Sequence, residues 1–226
     1  MVVGASLMQP LQITCKLATG LAMHHPLAID GLLAAMVAAR DSYPPIALEE
    51  RIPPPEALPL AWHPAGFHHA SQAHLVIQAY ETVRWSRTLL PIHRLALLTD
   101  RGKFPVGGRF KAYWMPLRKV LPAGMVLTWW VMGDAQGIRE LLRHTFGLGA
   151  KHNAGHGWVA SWTVEPWADD WSLLRPGDEG PEPTRPLPME LAPEGWQGLE
   201  VRRLTYPYWR RDGQVLAAVP MRVENK

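Results

Sequence analysis

The chain has 226 residues, of which 47% are hydrophobic and 19% charged, and its formal net charge at pH 7 is +3. This length and apolar content suffice for one sizeable hydrophobic core or two small ones. The 19 glycines and 22 prolines indicate many loops and turns, but they follow no Gly-X-Y period, and no apolar run is long enough to span a membrane. We therefore expect a globular, loop-rich protein without membrane contact, and neither a fibrous nor a disordered one.

The single cysteine and the N-terminal segment bear on the cellular compartment. Because Cys15 is the only cysteine, the chain can form neither an internal disulfide nor a thiolate metal cluster. It lies in a segment that alternates apolar and polar residues, which predicts a buried, unreactive thiol. The N-terminus lacks a basic stretch followed by an apolar one, so we expect no secretory signal and a cytoplasmic location.

The first half of the chain predicts a strand, a helix and a further extended region. Residues 11–18 alternate between apolar and polar side chains, which favours a half-buried strand. Residues 29–40 place apolar side chains on one helical stripe, and Asp30 near the start suits the positive end of a helix dipole. The proline-rich residues 41–66 predict an ordered loop with one short strand. Residues 73–87 are apolar and β-branched enough for a strand or two.

The second half predicts an insertion, two strands, a helix and a tail. Residues 99–124 mix glycines with basic and aromatic residues, which favours a hairpin or a flexible insertion. Residues 125–132 predict a buried strand. Residues 134–146 predict a helix capped by its first residue, an aspartate, with the final phenylalanine on its apolar stripe. A strand is predicted at 157–165, after which little periodicity appears until 214–219.

The order of these elements is strand, helix, strand, strand, helix, strand. That order is the βαββαβ plan of the ferredoxin-like fold, which also underlies the RRM, with a four-stranded sheet and two helices on one face. We therefore predict an α+β, ferredoxin-like domain over residues 1–166. A basic insertion at 88–124 interrupts it, and an irregular C-terminal extension, 167–226, packs on it.

Charge is strongly segregated along the chain. Residues 84–119 hold nine basic residues and one acid, whereas residues 165–200 hold nine acids and two basic residues. Phosphate contacts depend on local cation density, and Phe104, Tyr113 and Trp114 add aromatic rings to the basic segment. That mixture is typical of surfaces that contact phosphates and stack on bases. The alternative is a solvated basic face that is neutralised by the acidic segment.

The most specific string is a glycine-rich segment between the second helix and the last strand, Gly-Leu-Gly-Ala-Lys-His-Asn-Ala-Gly-His-Gly at 147–157. Its glycines allow positive φ and close approach to a ligand, and its polar side chains could donate to phosphates or bases. It is neither a dinucleotide-binding fingerprint nor a P-loop, because it precedes a strand and lacks Gly-Lys-Ser/Thr. A plain glycine-rich turn is the alternative. The candidate RNA-binding residues of this glycine loop are Gly147, Gly149, Lys151, His152, Asn153, Gly155, His156 and Gly157.

This Gly-φ-Gly-x5-Gly-x-Gly loop, placed after the second helix, resembles the signature of the RAMP superfamily of CRISPR-associated RNA-binding proteins. Residues 11–40 resemble the N-terminal strand and helix of that superfamily. Three strings, at 155–166, 171–173 and 185–188, are similar to the small RAMP subunit of type IV CRISPR effector complexes. The resemblance covers roughly residues 11–40 and 125–209.

The resemblance implies a non-catalytic subunit that caps the 5′ handle of a CRISPR RNA in a multi-subunit ribonucleoprotein used in defence against foreign DNA. Its partners would be the CRISPR RNA, the backbone and large subunits and, indirectly, the target DNA, with no cofactor. The insertion at 88–124 would be a thumb, an extended hairpin that clamps RNA, with Tyr113 or Trp114 as stacking or wedge residues. The implied phosphate contacts are Arg101, Lys103, Arg109, Lys111, Arg118 and Lys119.

RAMP endoribonucleases, which process precursor CRISPR RNA, share this fold and form the alternative class. Those that work without metal use a histidine as general acid or base near the first strand and helix. His24 and His25 lie in the corresponding loop. Two structural histidines beside Pro26 would account for the same residues.

A metal site and a plain scaffold complete the possibilities. The chain has 10 histidines but no His-Glu-x-x-His string. His152 and His156 have ligand spacing, but a glycine-rich loop holds metal geometry poorly, so we expect no metal. A ferredoxin-like scaffold or adaptor would show no affinity for RNA.

Overall fold

A computed structural model of the protein describes residues 7–23, 26–41, 52–87 and 113–220, with the backbone alone for 85–87 and 113–115. These residues form a mixed α+β structure of two α-helices and several small antiparallel sheets. The helices are α1 (Ile29–Arg40) and α2 (Ala135–Leu142). The strands are β1 (Gln9–Leu17), β2 (Leu21–Ala22), β3 (Trp62–His63), β4 (Phe67–His68), β5 (Ile77–Arg87), β6 (Tyr113–Pro122), β7 (Val126–Gly133), β8 (Val159–Pro166), β9 (Leu174–Gly177), β10 (Gly180–Pro183), β11 (Leu187–Pro188), β12 (Leu199–Arg203) and β13 (Gln214–Ala218).

The core sheet has the order β7-β1-β8, with β1 at its centre. Because side chains alternate along a strand, the apolar residues of β1 share one face, and all of them are buried. They pack with the apolar stripes of α1 and α2 in one core. Cys15 belongs to this face, and burial raises the pKa of its thiol to about 12. The prediction of a buried, unreactive cysteine is therefore confirmed.

Both predicted helices are present, and α1 begins and ends at the predicted residues. The carboxylate of Asp134 caps α2 by accepting hydrogen bonds from two backbone N–H groups of the first turn, each at 3.0 Å. The helix ends at Leu142, however, and Phe146 is 73% exposed rather than on the apolar stripe. The backbone carbonyl of Phe146 instead accepts a hydrogen bond from Val159 at the start of β8. Neither described helix is long and apolar enough to cross a membrane.

The core sheet has three regular strands in the described part of the chain, not the predicted four. The strand predicted over 73–87 begins at Ile77, and it pairs with β6 rather than with β7. Irregular chain from the 60–74 region lies along β7 instead. It is joined to β7 by three isolated antiparallel bridges: Leu60 to Gly133, Ala70 to Val131 and His74 to Thr128.

Local side-chain chemistry explains why this region forms no regular strand. The hydroxyl of Ser71 accepts a hydrogen bond from the backbone N–H of Trp130 at 2.8 Å. In a regular strand pair a backbone carbonyl would accept that N–H instead. The next residue, Gln72, donates its backbone N–H at 2.8 Å to the carbonyl of Thr184, in the C-terminal part of the chain. The chain at Ser71 and Gln72 therefore makes some of its hydrogen bonds with β7 and others with the C-terminal part of the protein.

A second sheet, in the order β2-β6-β5, stands beside the core sheet. Strands β5 and β6 pair antiparallel from Ile77 opposite Pro122 to Arg87 opposite Tyr113, and so form the two arms of a hairpin. Only the second arm, β6, lies within the predicted insertion at 99–124, and the first arm, β5, lies in the segment predicted as a core strand, so the hairpin predicted for 99–124 stays a prediction. Residues 88–112, between the arms, lie outside the described residues.

The C-terminal residues contain more strands than the sequence predicts. Strand β13 lies in the segment 214–219, where periodicity returns in the sequence, but β9 to β12 were missed. Strands β9, β10 and β11 are two to four residues long and each contains proline, which is depleted in strands. Their sequences therefore carry no strand signal. The predicted boundaries of domain, insertion and extension stay predictions.

A buried arginine fastens this C-terminal region to the core. Arg185 is 1% exposed, and its guanidinium lies over the ring of Phe67 at 4.6 Å. It donates hydrogen bonds to three backbone carbonyl oxygens, those of His68, Ala70 and Leu204. Its nearest charged partner is the carboxylate of Asp30, at 3.9 Å.

Asp30, at the start of α1, is completely buried. The hydroxyl of Tyr208 donates to this carboxylate and lies 2.8 and 2.7 Å from its two oxygens. Burial and the Asp30 charge raise the pKa of Tyr208, so the hydroxyl keeps its proton. A carboxylate removed from water is thus compensated by a hydroxyl and a guanidinium from the C-terminal region.

Replacing Tyr208 with phenylalanine should lower the free energy of unfolding by about 2 kcal/mol, because the buried carboxylate of Asp30 loses a charge-assisted hydrogen bond. Urea denaturation measures the change. Tyr80→Phe is the matched control, since the side chain of Tyr80 is 43% exposed and its hydroxyl can bond to water. Equal stability of the two variants would show that the Asp30 contact contributes nothing.

Candidate nucleic-acid interface

The glycine loop, 147–157, is held in one conformation by close packing. Gly149 and Gly157 have φ values of +73° and +65°, in the left-handed region. A Cβ at Gly157 would lie 2.1 Å from the carbonyl oxygen of Leu148, and one at Gly149 would lie 2.4 Å from that of Ala22. Contacts inside the protein are thus sufficient to require glycine at these two positions.

The loop closes over β2. The backbone N–H of Gly157 donates to the carbonyl of Gly20 at 2.9 Å, and that of Ala150 donates to Ala22 at 2.7 Å. Leu21, between these acceptors, is fully buried. The loop therefore covers the segment that follows β1 and is hydrogen-bonded to it at two points.

Polar side chains stand at the apex of the loop. Lys151 has a left-handed backbone with φ of +60°, and a 3-10 turn, His152–Ala154, follows it. The side chains of His152 and Asn153 are exposed and that of Lys151 is half-buried. The structure thus brings together three of the donors that the sequence predicts.

Sequence analysis did not single out Trp158, which borders the same apex. Its side chain is 55% exposed, and its indole N–H donates to the carbonyl of His152 at 3.2 Å. An anchored, exposed indole beside basic and amide groups can stack on a base. The alternation of the following strand was the only available signal, and it does not distinguish an exposed stacking residue from an ordinary surface tryptophan.

The glycine loop is connected to the base of the β5–β6 hairpin through β2. Ala22 of β2 pairs with Lys119 of β6, and the ammonium of Lys119 lies 2.8 Å from the carboxylate of Glu81. Burial lowers the pKa of His156, the positive charge of Lys119 lowers it further, and Glu81 acts in the opposite sense. The neutral form of the His156 imidazole is therefore favoured, and His156 lies within the electrostatic reach of Lys119.

The structure separates Arg118 from Lys119, which the sequence groups together. Consecutive residues of a strand point to opposite faces, so Arg118 lies on the other side of the hairpin. Its side chain is exposed, and its guanidinium carbon lies 3.7 Å above the centre of the Tyr80 ring. Tyr113 and Trp114 lie at the start of β6, where the backbone alone is described.

Several predicted site residues fall outside the described part of the chain. Four are basic residues of the predicted thumb, and two are the candidate nuclease histidines: Arg101, Lys103, Arg109, Lys111, His24 and His25. Their roles stay predictions.

A histidine with a serine and an aspartate lies away from this interface. His69 Nδ1 is 3.3 Å from the hydroxyl of Ser172 and 3.5 Å from the carboxylate of Asp170. Burial opposes ionisation of Asp170, but hydrogen bonds from His69 and Ser172 outweigh it and hold its pKa at about 2. A catalytic triad requires the serine and the carboxylate on different ring nitrogens, so this cluster has the wrong arrangement for one.

The described residues include no group of three or more His, Cys, Asp and Glu side chains that could hold a metal ion. The expectation of a metal-free protein stays a prediction. Comparison with models of known protein families finds no match, and comparison with curated proteins finds no relative. The resemblance to RAMP proteins thus rests on the motifs of the sequence.

Gly157→Ala should destabilise the protein by about 2 kcal/mol or more, because its Cβ would collide with the Leu148 carbonyl at a positive φ. The matched control is Gly155→Ala in the same loop. Its φ is +88° but its Cβ would meet nothing within 4 Å, so the cost is about 1 kcal/mol of backbone strain alone. Urea unfolding compares the two. Equal losses would contradict the packing role assigned to Gly157.

Proposed function

We propose that the protein is a cytoplasmic, non-catalytic RNA-binding subunit. In this proposal it holds the 5′ handle of a CRISPR RNA in a type IV effector complex for defence against foreign DNA. Its partners are that RNA, the backbone and large subunits and, through them, the target DNA. The observation that carries the proposal is the junction of the glycine loop with the base of the β5–β6 hairpin, through Ala22 and Lys119.

The arrangement of the core supports a ferredoxin-like interpretation. The antiparallel order β7-β1-β8 is the order of the third, first and fourth strands of a βαββαβ core, with α1 and α2 in the connections. Irregular chain within 60–74 lies beside β7, where that plan has its second strand. In this interpretation the β5–β6 hairpin extends from the connection between the second and third core strands, which is the position implied for a thumb.

In this proposal, groups that contact phosphates and a ring that stacks on bases lie together in the glycine loop. The loop apex presents an ammonium, an imidazole and an amide at Lys151, His152 and Asn153, beside the indole of Trp158. Single-stranded RNA is bound by this combination of phosphate contacts and base stacking. The sequence between the hairpin arms, 88–112, adds five basic residues and one acid.

Removing three predicted thumb charges by Lys103→Gln, Arg109→Gln and Lys111→Gln should weaken binding of a fluorescein-labelled 20-nucleotide single-stranded RNA. If each residue contacts one phosphate, the slope of log K against log salt should fall by about 2. Fluorescence anisotropy across a salt series measures this slope.

A second triple variant, Arg40→Gln, Arg202→Gln and Arg211→Gln, is the matched control. It removes the same charge from described surface positions that lie outside the thumb and the loop. The control should keep the slope of the unaltered protein. Equal effects of the two variants would refute the thumb assignment and leave only a general effect of net charge.

The class of subunit is tested by incubation with CRISPR repeat RNA in EDTA. A non-catalytic subunit leaves the RNA intact and co-purifies with RNA and partner subunits, which sequencing and mass spectrometry identify. Site-specific cleavage that is abolished by His24→Ala or His25→Ala would replace the proposal with a processing endoribonuclease. Purification without any RNA affinity would instead indicate a scaffold.

A further inference from the structure

Strand β13 has a partner on only one of its two edges over much of its length. On one edge it pairs with β12 from Gln214 to Ala218. On the other edge it pairs with β11 at Ala217 and Ala218 alone, because the chain leaves the sheet after Pro188. No described residue pairs with positions 214–216 on that edge. Successive residues of a strand direct their backbone groups to alternate edges, so at least one of these positions presents its N–H and C=O there.

An apolar groove follows this open edge. Its volume is about 510 Å³, within the range of about 300–1,000 Å³ that is usual for ligand sites. Val215 and Leu216 both line it, although consecutive residues of a strand point to opposite faces, so the groove runs along an edge of β13. Since β12 occupies the other edge, this is the edge toward β11. Pro188, Met189 and Leu191, from β11 and the 3-10 turn that follows it, also line the groove.

The groove and the edge are both accessible to another chain. The side chains of Met189, Val215 and Leu216 are 42%, 41% and 52% exposed. An open strand edge beside exposed apolar side chains is a template for pairing, which proteins usually block with charged residues or proline. Positions 214–216 hold neither a charged residue nor a proline. The edge therefore has the features of a site for the addition of a strand.

The charge of the groove selects among ligands. Glu190 is exposed and is the only carboxylate among the described residues that line the groove, and these include no lysine or arginine. Burial lowers the pKa of His63, the other titratable residue of the lining, which favours its neutral imidazole. A ligand with a lysine or arginine is therefore complementary to the groove, whereas a phosphate backbone would be repelled by Glu190.

We infer that this groove binds an extended segment of a partner subunit, which adds to the open edge of β13 as a strand. Its apolar side chains, at alternate positions, pack on Val215 and Met189, and a lysine or arginine faces Glu190. The open stretch is about 10 Å long at about 3.3 Å per residue, so a short strand fills it. The inference rests on the proposed function for the existence of partner subunits, but it uses none of the RNA-binding residues proposed above.

The probe for this site is a fluorescein-labelled peptide, Lys-Val-Thr-Val-Thr-Val, in which valines alternate with polar residues. It should bind the full chain saturably in fluorescence anisotropy and shift the NMR amide signals of residues 189–191 and 214–216. Val215→Lys places a charge in the groove and should weaken binding about tenfold or more. Val76→Lys is the matched control, because Val76 is 45% exposed but does not line the groove.

Two comparisons test strand pairing and charge separately. An N-methylated form of the peptide keeps the side chains but loses the backbone donors, and it should bind about tenfold more weakly or worse. Glu190→Lys should weaken binding about two- to fivefold, the effect of one exposed ion pair. Glu179→Lys is its control, since Glu179 is an exposed acid between β9 and β10. Circular dichroism checks that each variant is folded.

The possible results separate this inference from the proposed function. Absence of peptide binding, or equal weakening by Val215→Lys and Val76→Lys, would overturn the inference and leave RNA binding by the chain unaffected. Displacement of the peptide by oligouridine would assign the groove to RNA and overturn it as well. So would a dimer, seen by analytical ultracentrifugation, that Val215→Lys abolishes, because the occupant would be a second copy of the chain. Peptide binding by a protein that binds no RNA would refute the proposed function alone.

Discussion

Arg185 brings a full positive charge into the interior of the protein, where an uncompensated charge would cost several kcal/mol. The surrounding chain therefore has to arrange acceptors around it. The carbonyls of His68 and Ala70 accept its hydrogen bonds, and Gln72 donates its backbone N–H to Thr184, beside the arginine. These contacts draw the backbone bonds of the chain along β7 toward the C-terminal region. The carbonyl of His69, between these two acceptors, accepts the backbone N–H of Met132 in β7, so Arg185 bonds to the edge of the segment that faces away from β7. The arginine therefore joins this segment to the C-terminal region while the segment stays bonded to β7.

The same constraint extends to the start of α1. The carboxylate of Asp30 is buried between Arg185 and Tyr208, and each of these residues comes from the C-terminal part of the chain. Tyr206 adds a hydrogen bond from its hydroxyl to the carbonyl of Pro53, at 3.0 Å. The C-terminal region is therefore part of the folded core and not a detachable tail. The β1–α1 connection, which carries β2 under the glycine loop, is thus supported from the side of α1 by these buried contacts.

Local patterns could be predicted from the sequence, and contacts between distant segments could not. The boundaries of α1 follow from the helical spacing of its apolar residues, and the cap of α2 follows from the side chain of Asp134. The structure confirms both predictions. Phe146 was misplaced because its departure from the helical stripe is caused by pairing with β8, which a local pattern does not contain. Ser71 occupies a strand-like segment, and only its tertiary contact with Trp130 shows why that segment is irregular. The compensation of Asp30 by Tyr208 joins positions 178 residues apart.

In the candidate interface, the sequence predicts how many basic residues lie together, but not which of them are paired and which are exposed. Counting basic residues along the sequence treats Arg118 and Lys119 as equal parts of one cluster, although strand alternation alone places them on opposite faces. The structure adds that Lys119 is largely neutralised by Glu81, whereas Arg118 remains exposed on Tyr80. Local cation density where β2 meets the hairpin is therefore lower than the count of basic residues along the sequence suggests.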